Sequence, residues 1–278
     1  MTNNDNAALI QLRGVVQQLK TVGVTIPEDL ASEIKGVDTL RVMTEQTRHD
    51  RDNAMRDLGQ APTQDLEKAL REARLKWAES SVDAEFISRA EAIQQGRVSG
   101  AFYRNAGWFL EELTDKMNAV VDEYELNTLR LPPNLNEINP LWMTPEDQNS
   151  IEAFRSAVPI LDSLWNPYKM VAVAVGHQYS IANKTDEGPS VAVAWLVSDV
   201  ESSRDADALA TDFRRLSQGV TSMERIRSLG IWGVISLSGF NIDICSPEEA
   251  EYRREFARNP ASASAPPAKK RKAVLLNK

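Results

Sequence analysis

Cysteine and histidine are scarce: the 278-residue chain has one of the first, Cys245, and two of the second, His49 and His177. A single thiol forms no internal disulfide, which fits a reducing compartment and leads to the expectation of an intracellular protein, nuclear or cytoplasmic. Three scattered nitrogen and sulfur side chains are too few for a clustered transition-metal site, so neither a metal nor a cofactor is expected. Long apolar runs are missing too. A stretch such as Met170–Val175 is far shorter than the about 20 residues a membrane-spanning helix needs, so no membrane partner is expected. The opening Met-Thr-Asn-Asn-Asp-Asn has neither the basic start nor the apolar run of a secretory signal.

The motifs of common enzymes are absent as well. Neither Gly-x-Gly-x-x-Gly nor Gly-x-x-x-x-Gly-Lys-Ser/Thr occurs, which removes the usual phosphate-cradling loops. Neither Ser236 nor Ser238, between Gly233 and Gly239, has the paired glycines of a nucleophile elbow. One reactive pairing is conceivable, Cys245 with His177: the thiol precedes a helix start, where the dipole favours thiolate. Nothing in the sequence brings the two together, so an enzyme is the less favoured reading. No solenoid repeat is found.

What the chain does have is helical patterning. Leu9, Leu12, Val16 and Leu19 share one face of a helix over 7–22. Pro27-Glu28-Asp29 opens a second, short helix that Gly36 is expected to close, followed by a solvated, charge-rich helix over 37–58. Residues 63–95 lack glycine and proline and place Leu66, Leu70, Ala73, Trp77, Ala84 and Ile87 at heptad-like spacing, which predicts a helical hairpin or coiled coil. Gly96 and Gly100 mark a break before a helix over 108–129. The prolines between 132 and 143 mark a linker.

Beyond it, Thr144-Pro145-Glu146-Asp147 starts a helix to about Trp165, and Ser246-Pro247-Glu248-Glu249 starts another ending near Asn259. Met170–Val175 and Val191–Val197 read as β-strands of a hairpin turning through Asn183 and Gly188, with Ile231–Phe240 as a third strand. Residues 206–216 and 222–229 read as helices. The expected fold is therefore mainly α with a small β component: a helical region over 1–131, a linker over 132–143, an α+β region over 144–259, and a disordered tail over 260–278.

Charge is divided unevenly. The net charge of −8 combines −6 over residues 1–131, −7 over 132–259 and +5 over the last 19 residues. Lys269, Lys270, Arg271 and Lys272 follow Pro266-Pro267 in a segment too small and proline-rich to fold, and resemble a monopartite nuclear-localisation signal. The same composition suits contact with RNA or DNA. Arg214, Arg215, Arg225 and Arg227 are candidate phosphate contacts, and Phe102-Tyr103-Arg104 near Trp108 is a candidate stacking surface. The leading expectation is a non-enzymatic assembly protein, self-associating into a homo-oligomer through helices and touching nucleic acid with its tail, in the broad design of viral coat and nucleocapsid proteins. The alternative is a nuclear adaptor carried by an import receptor.

Overall fold

The computed structural model describes residues 4–133, 135, 142–177, 179, 188–218 and 224–259, and this part is 79% helical with no strand. The tail and the Asn183 turn lie outside the described residues. The chain divides into two compact units, residues 1–105 and 106–278, with the division inside one long helix.

In the first unit, α1 (Asn4–Thr21) buries Leu12, Val16 and Leu19 of the predicted stripe, with Val15 beside them; the Leu9 side chain lies outside the described residues. It stops at Gly23, whose φ of 72° lets Val24 donate back to the Leu19 carbonyl at 2.9 Å and Gly23 to that of Lys20 at 3.0 Å. Glycine adopts this left-handed turn without the Cβ penalty, and the buried Val24 covers the helix end. Pro27 then precedes α2 (Glu28–Gln60), whose first turn holds Glu28 and Asp29.

The expected stop at Gly36 is not there: α2 runs through it. An added Cβ at Gly36 would stand 2.6 Å from Nε2 of Gln94, which donates at 3.0 Å to the Glu33 carbonyl. Gly36 is thus a close-approach position between helices. Its partner is α3 (Leu66–Glu123), 58 residues that pass Gly96 and Gly100 without the expected break. Buried Val98, Ala101 and Phe102 around those glycines hold the helix together against a propensity cost of about 1 kcal/mol each. The contacts Asn105–Asp29, Gln94–Glu33 and Thr44–Glu91 run in opposite chain directions, so α2 and the first part of α3 form an antiparallel hairpin.

The second unit contains the end of α3 and α4 (Pro145–Ala174), α5 (Gly188–Val197), α6 (Ser203–Ser217), α7 (Glu224–Arg227), α8 (Gly230–Leu237) and α9 (Pro247–Arg258). Thr144 caps α4 as expected, exchanging bonds with Asp147 in a capping box. The helix does not end near Trp165 but continues through Pro167, because Leu161, Leu164, Trp165, Tyr168, Val171 and Ala172 extend one buried face. That burial outweighs the roughly 3 kcal/mol an internal proline costs.

All three expected strands are helices. Met170–Val175 falls at the end of α4, Val191–Val197 lies within α5, and Ile231–Phe240 overlaps α8 through Leu237. A short apolar run satisfies a strand buried on both faces and a helix buried all round equally well, and here the second applies. Val193 to Ser198 are all buried, with α6 and α9 packed on α5. A helix pairs its own backbone, so such a core position needs no neighbouring strand.

An extended segment, 240–245, replaces the expected sheet. It makes one isolated antiparallel bridge, Ser198 with Ile242, and its other bonds come largely from side chains. The Asn118 amide donates to the Ile244 carbonyl at 2.8 Å and accepts from the Ile244 amide at 3.1 Å. Asn127 does the same to Ile242, at 2.9 and 2.8 Å. Each asparagine mimics a neighbouring strand residue.

Candidate functional site

Two kinds of surface carry the functional question, an apolar one on the hairpin and polar hollows in the second unit. Of the expected seam on the hairpin, Ala73 and Ile87 are buried, Leu66, Leu70 and Trp77 are exposed, and the Ala84 side chain lies outside the described residues; Val98, further along, is buried too. Trp77 lies under the Arg51 guanidinium, 5.4 Å from its ring centre. More exposed still are Leu75 at 57%, Phe86 at 73% and Ile93 at 63%. The heptad reading missed these three because it followed a single stripe. A second one, offset by two residues, was present in the same segment.

A hollow of about 330 Å³ is lined by Gly176, His177, Tyr179, Trp195, Glu251 and Arg254 among others. His177 belongs to the stop of α4: Gly176 turns at φ 96°, and the His177 amide returns to the Ala172 carbonyl at 2.9 Å. Its ring stacks on Tyr179, centroids 6.0 Å apart. Cys245 is buried, with its thiol directed at the Trp195 carbonyl at 3.5 Å. Its own carbonyl accepts from the Tyr168 hydroxyl at 3.0 Å, and its amide donates to the Leu196 carbonyl at 2.9 Å. These bonds make Cys245 a junction between the extended segment, α4 and α5. Burial pushes the phenols of Tyr168 and Tyr179 above the usual tyrosine range, so both stay neutral donors at physiological pH.

A second hollow, about 620 Å³, lies between α4 and the turn before α8, where Glu152, Arg155 and Ser156 face Ser228 and Leu229. Lys169, above the Trp165 ring at 5.8 Å, has its pKa lowered by burial, with nearby Asp162 partly offsetting the shift. No group of three or more His, Cys, Asp or Glu is placed to hold a metal ion among the described residues, and no described helix is long and apolar enough to cross a membrane.

The sequence-predicted cations fall in different settings. Arg214 and Arg215 occupy the last turn of α6. Arg214 bonds within its own helix, to Ala210 at 3.3 Å and Thr211 at 3.0 Å, and Arg215 meets Asp212 at 3.2 Å. Arg225 and Arg227 are in α7, with Arg227 exposed. Of the candidate stacking surface, Phe102 is fully buried, Tyr103 is 54% exposed and Arg104 reaches Asp29 at 3.5 Å. Lys269, Lys270, Arg271 and Lys272 lie outside the described residues.

Compared with protein-family models, curated proteins and solved structures, the chain matches none of them significantly.

Proposed function

We propose that this chain is a non-enzymatic assembly protein that self-associates through its helices and engages nucleic acid with its basic tail, as coat and nucleocapsid proteins do. The supporting observation is the hairpin surface: Leu75, Phe86 and Ile93, which fall within about 20° of one another on α3, are each more than half exposed. Large apolar side chains gathered on one element favour removal from water by a partner, and scattered single ones would not. Cys245, the best nucleophile candidate in the sequence, is committed to packing and backbone contacts. The tail supplies +5 against −13 on the rest of the chain. A body of that charge repels phosphate at long range, so attraction rests on the tail.

Titrating the full chain and a 1–259 truncation with single-stranded RNA at several salt concentrations tests the nucleic-acid half. The full chain is expected to lose affinity with a slope of log K against log salt of about −3.5, from five cations each contributing about 0.7. The truncation is expected to keep its helical circular dichroism and to lose binding. Equal binding by both forms would remove the tail from the account.

A further inference from the structure

We infer that the hollow formed by the end of α4, α5 and α9 is a pocket for one nucleobase of single-stranded nucleic acid, stacked on the Tyr179 ring and held along its edge by Glu251 and Arg254. The inference deepens the nucleic-acid half of the proposed function and rests on it. At about 330 Å³ the hollow is near the lower end of the roughly 300–1,000 Å³ usual for ligand sites, which suits one small molecule.

The walls follow from register. On α9, Pro247, Ala250, Glu251 and Arg254 recur at i, i+3, i+4 and i+7, the spacing of one helix face. Trp195 of α5 adds a buried indole. The third wall is the stop of α4, where the rings of His177 and Tyr179 lie nearly parallel, 15° between planes and 6.0 Å between centroids. A half-buried aromatic pair of this kind is a platform for a further flat ring, and every base has a face to stack. The Tyr179 phenol, raised by burial and by nearby Cys245, Glu248 and Glu251, brings no charge to it.

Charge decides the class of molecule. A guanidinium in the wall disfavours a cation, and a carboxylate beside it disfavours an anion. What the two together suit is a neutral flat molecule with hydrogen-bond donors next to acceptors, which is the edge of a nucleobase. The phosphate of such a nucleotide stays outside, away from Glu248 and Glu251. Guanine matches the pair best: its N1–H and N2–H donate to the Glu251 carboxylate, and its O6 accepts from Arg254. Both side chains can be reached from solvent, Glu251 being 58% exposed and Arg254 34%. Nη2 of Arg254 meets Glu251 at 3.2 Å, whereas its Nε is buried without a partner among the described residues. Proteins seldom leave a buried donor unmet, and an incoming acceptor is what this guanidinium lacks.

The test uses the full chain, with folding checked by circular dichroism. The first probe is guanosine, which has no phosphate for the tail to grip, followed by saturation-transfer NMR. A dissociation constant on the order of 1 mM is expected, with adenosine, cytidine and uridine weaker. Tyr179→Leu is expected to weaken guanosine binding roughly 5- to 100-fold, whereas Tyr179→Phe keeps the ring and is expected to bind about as well as the parent. Glu251→Gln, at an exposed position, is expected to keep the fold and remove the preference for guanosine. The second probe is a short uridine strand with and without one central guanosine. The guanosine is expected to tighten binding several-fold in the parent and not in Tyr179→Leu or Glu251→Gln. Binding of free guanosine with no gain from the guanosine in the strand would overturn the strand as its source. Strand binding that is equal in all variants, with no guanosine signal, would overturn the pocket and leave the role of the tail standing. A chain that binds neither probe would overturn both.

Discussion

Replacing Trp232 with alanine is expected to lower the unfolding free energy by about 3–5 kcal/mol, the range for truncating a large aromatic in a packed core. Trp232 is fully buried in α8, stands edge-on to Trp165 at 6.0 Å, and donates its indole N–H to Asp162 at 2.9 Å. The substitution leaves a cavity where α8 meets α4 and also removes that bond. Trp232→Phe separates the two effects: it keeps most of the volume and loses the donor, and is expected to cost much less, about 1–2 kcal/mol. Equilibrium urea unfolding measures both. A Trp232→Ala chain as stable as the parent would mean that α8 does not anchor this unit.

Asn118→Ala is expected to be nearly as damaging, at about 2–4 kcal/mol, because it strands two backbone groups at once. Ile244, whose amide and carbonyl Asn118 satisfies, is 2% exposed, so water does not readily take the place of the lost partners. Asn118→Asp tests the geometry, since a carboxylate accepts from the amide but has nothing to donate to the carbonyl. Hydrogen exchange is expected to accelerate at the Ile244 and Cys245 amides in both variants, and least at sites far from the extended segment. Unchanged protection at Ile244 would show that this segment is held by its helix contacts instead.

These two predictions also show how far the sequence could be read. The helix starts after Thr144 and Ser246 were legible, because both residues cap by local side-chain chemistry that repeats from protein to protein, whereas the Ser202 cap of α6 was not read. The turns at Gly23 and Gly176 are equally local, yet the end of α4 at Gly176 was not read, since that helix was expected to stop near Trp165. What the pattern cannot decide is whether an apolar run is covered on two faces or all round, and so the runs of α5 and α8 fit a strand as well as a helix. Nor could it decide which internal glycines stop a helix: Gly36 serves close packing against Gln94, a residue distant in sequence. The Asn118 and Asn127 clamps were invisible for the same reason. An asparagine that completes a distant backbone looks, in sequence, like any other polar helix residue.

The candidate surfaces divide similarly. The basic tail was plain from charge alone, and the heptad signal on α3 was legible as helix, although Leu66, Leu70 and Trp77 of that stripe are exposed. The outer stripe was hidden because one stripe was sufficient to explain the segment. Solvent exposure of Phe86 and Ile93 distinguishes the two faces, and only the folded hairpin supplies it.

The most direct measurement of the assembly account is the mass of the purified full chain by light scattering, taken with and without single-stranded RNA at low salt. The account predicts a multimer without RNA and a heavier, RNA-containing species with it, the RNA being released as salt rises. A monomer whose mass RNA does not change would contradict it.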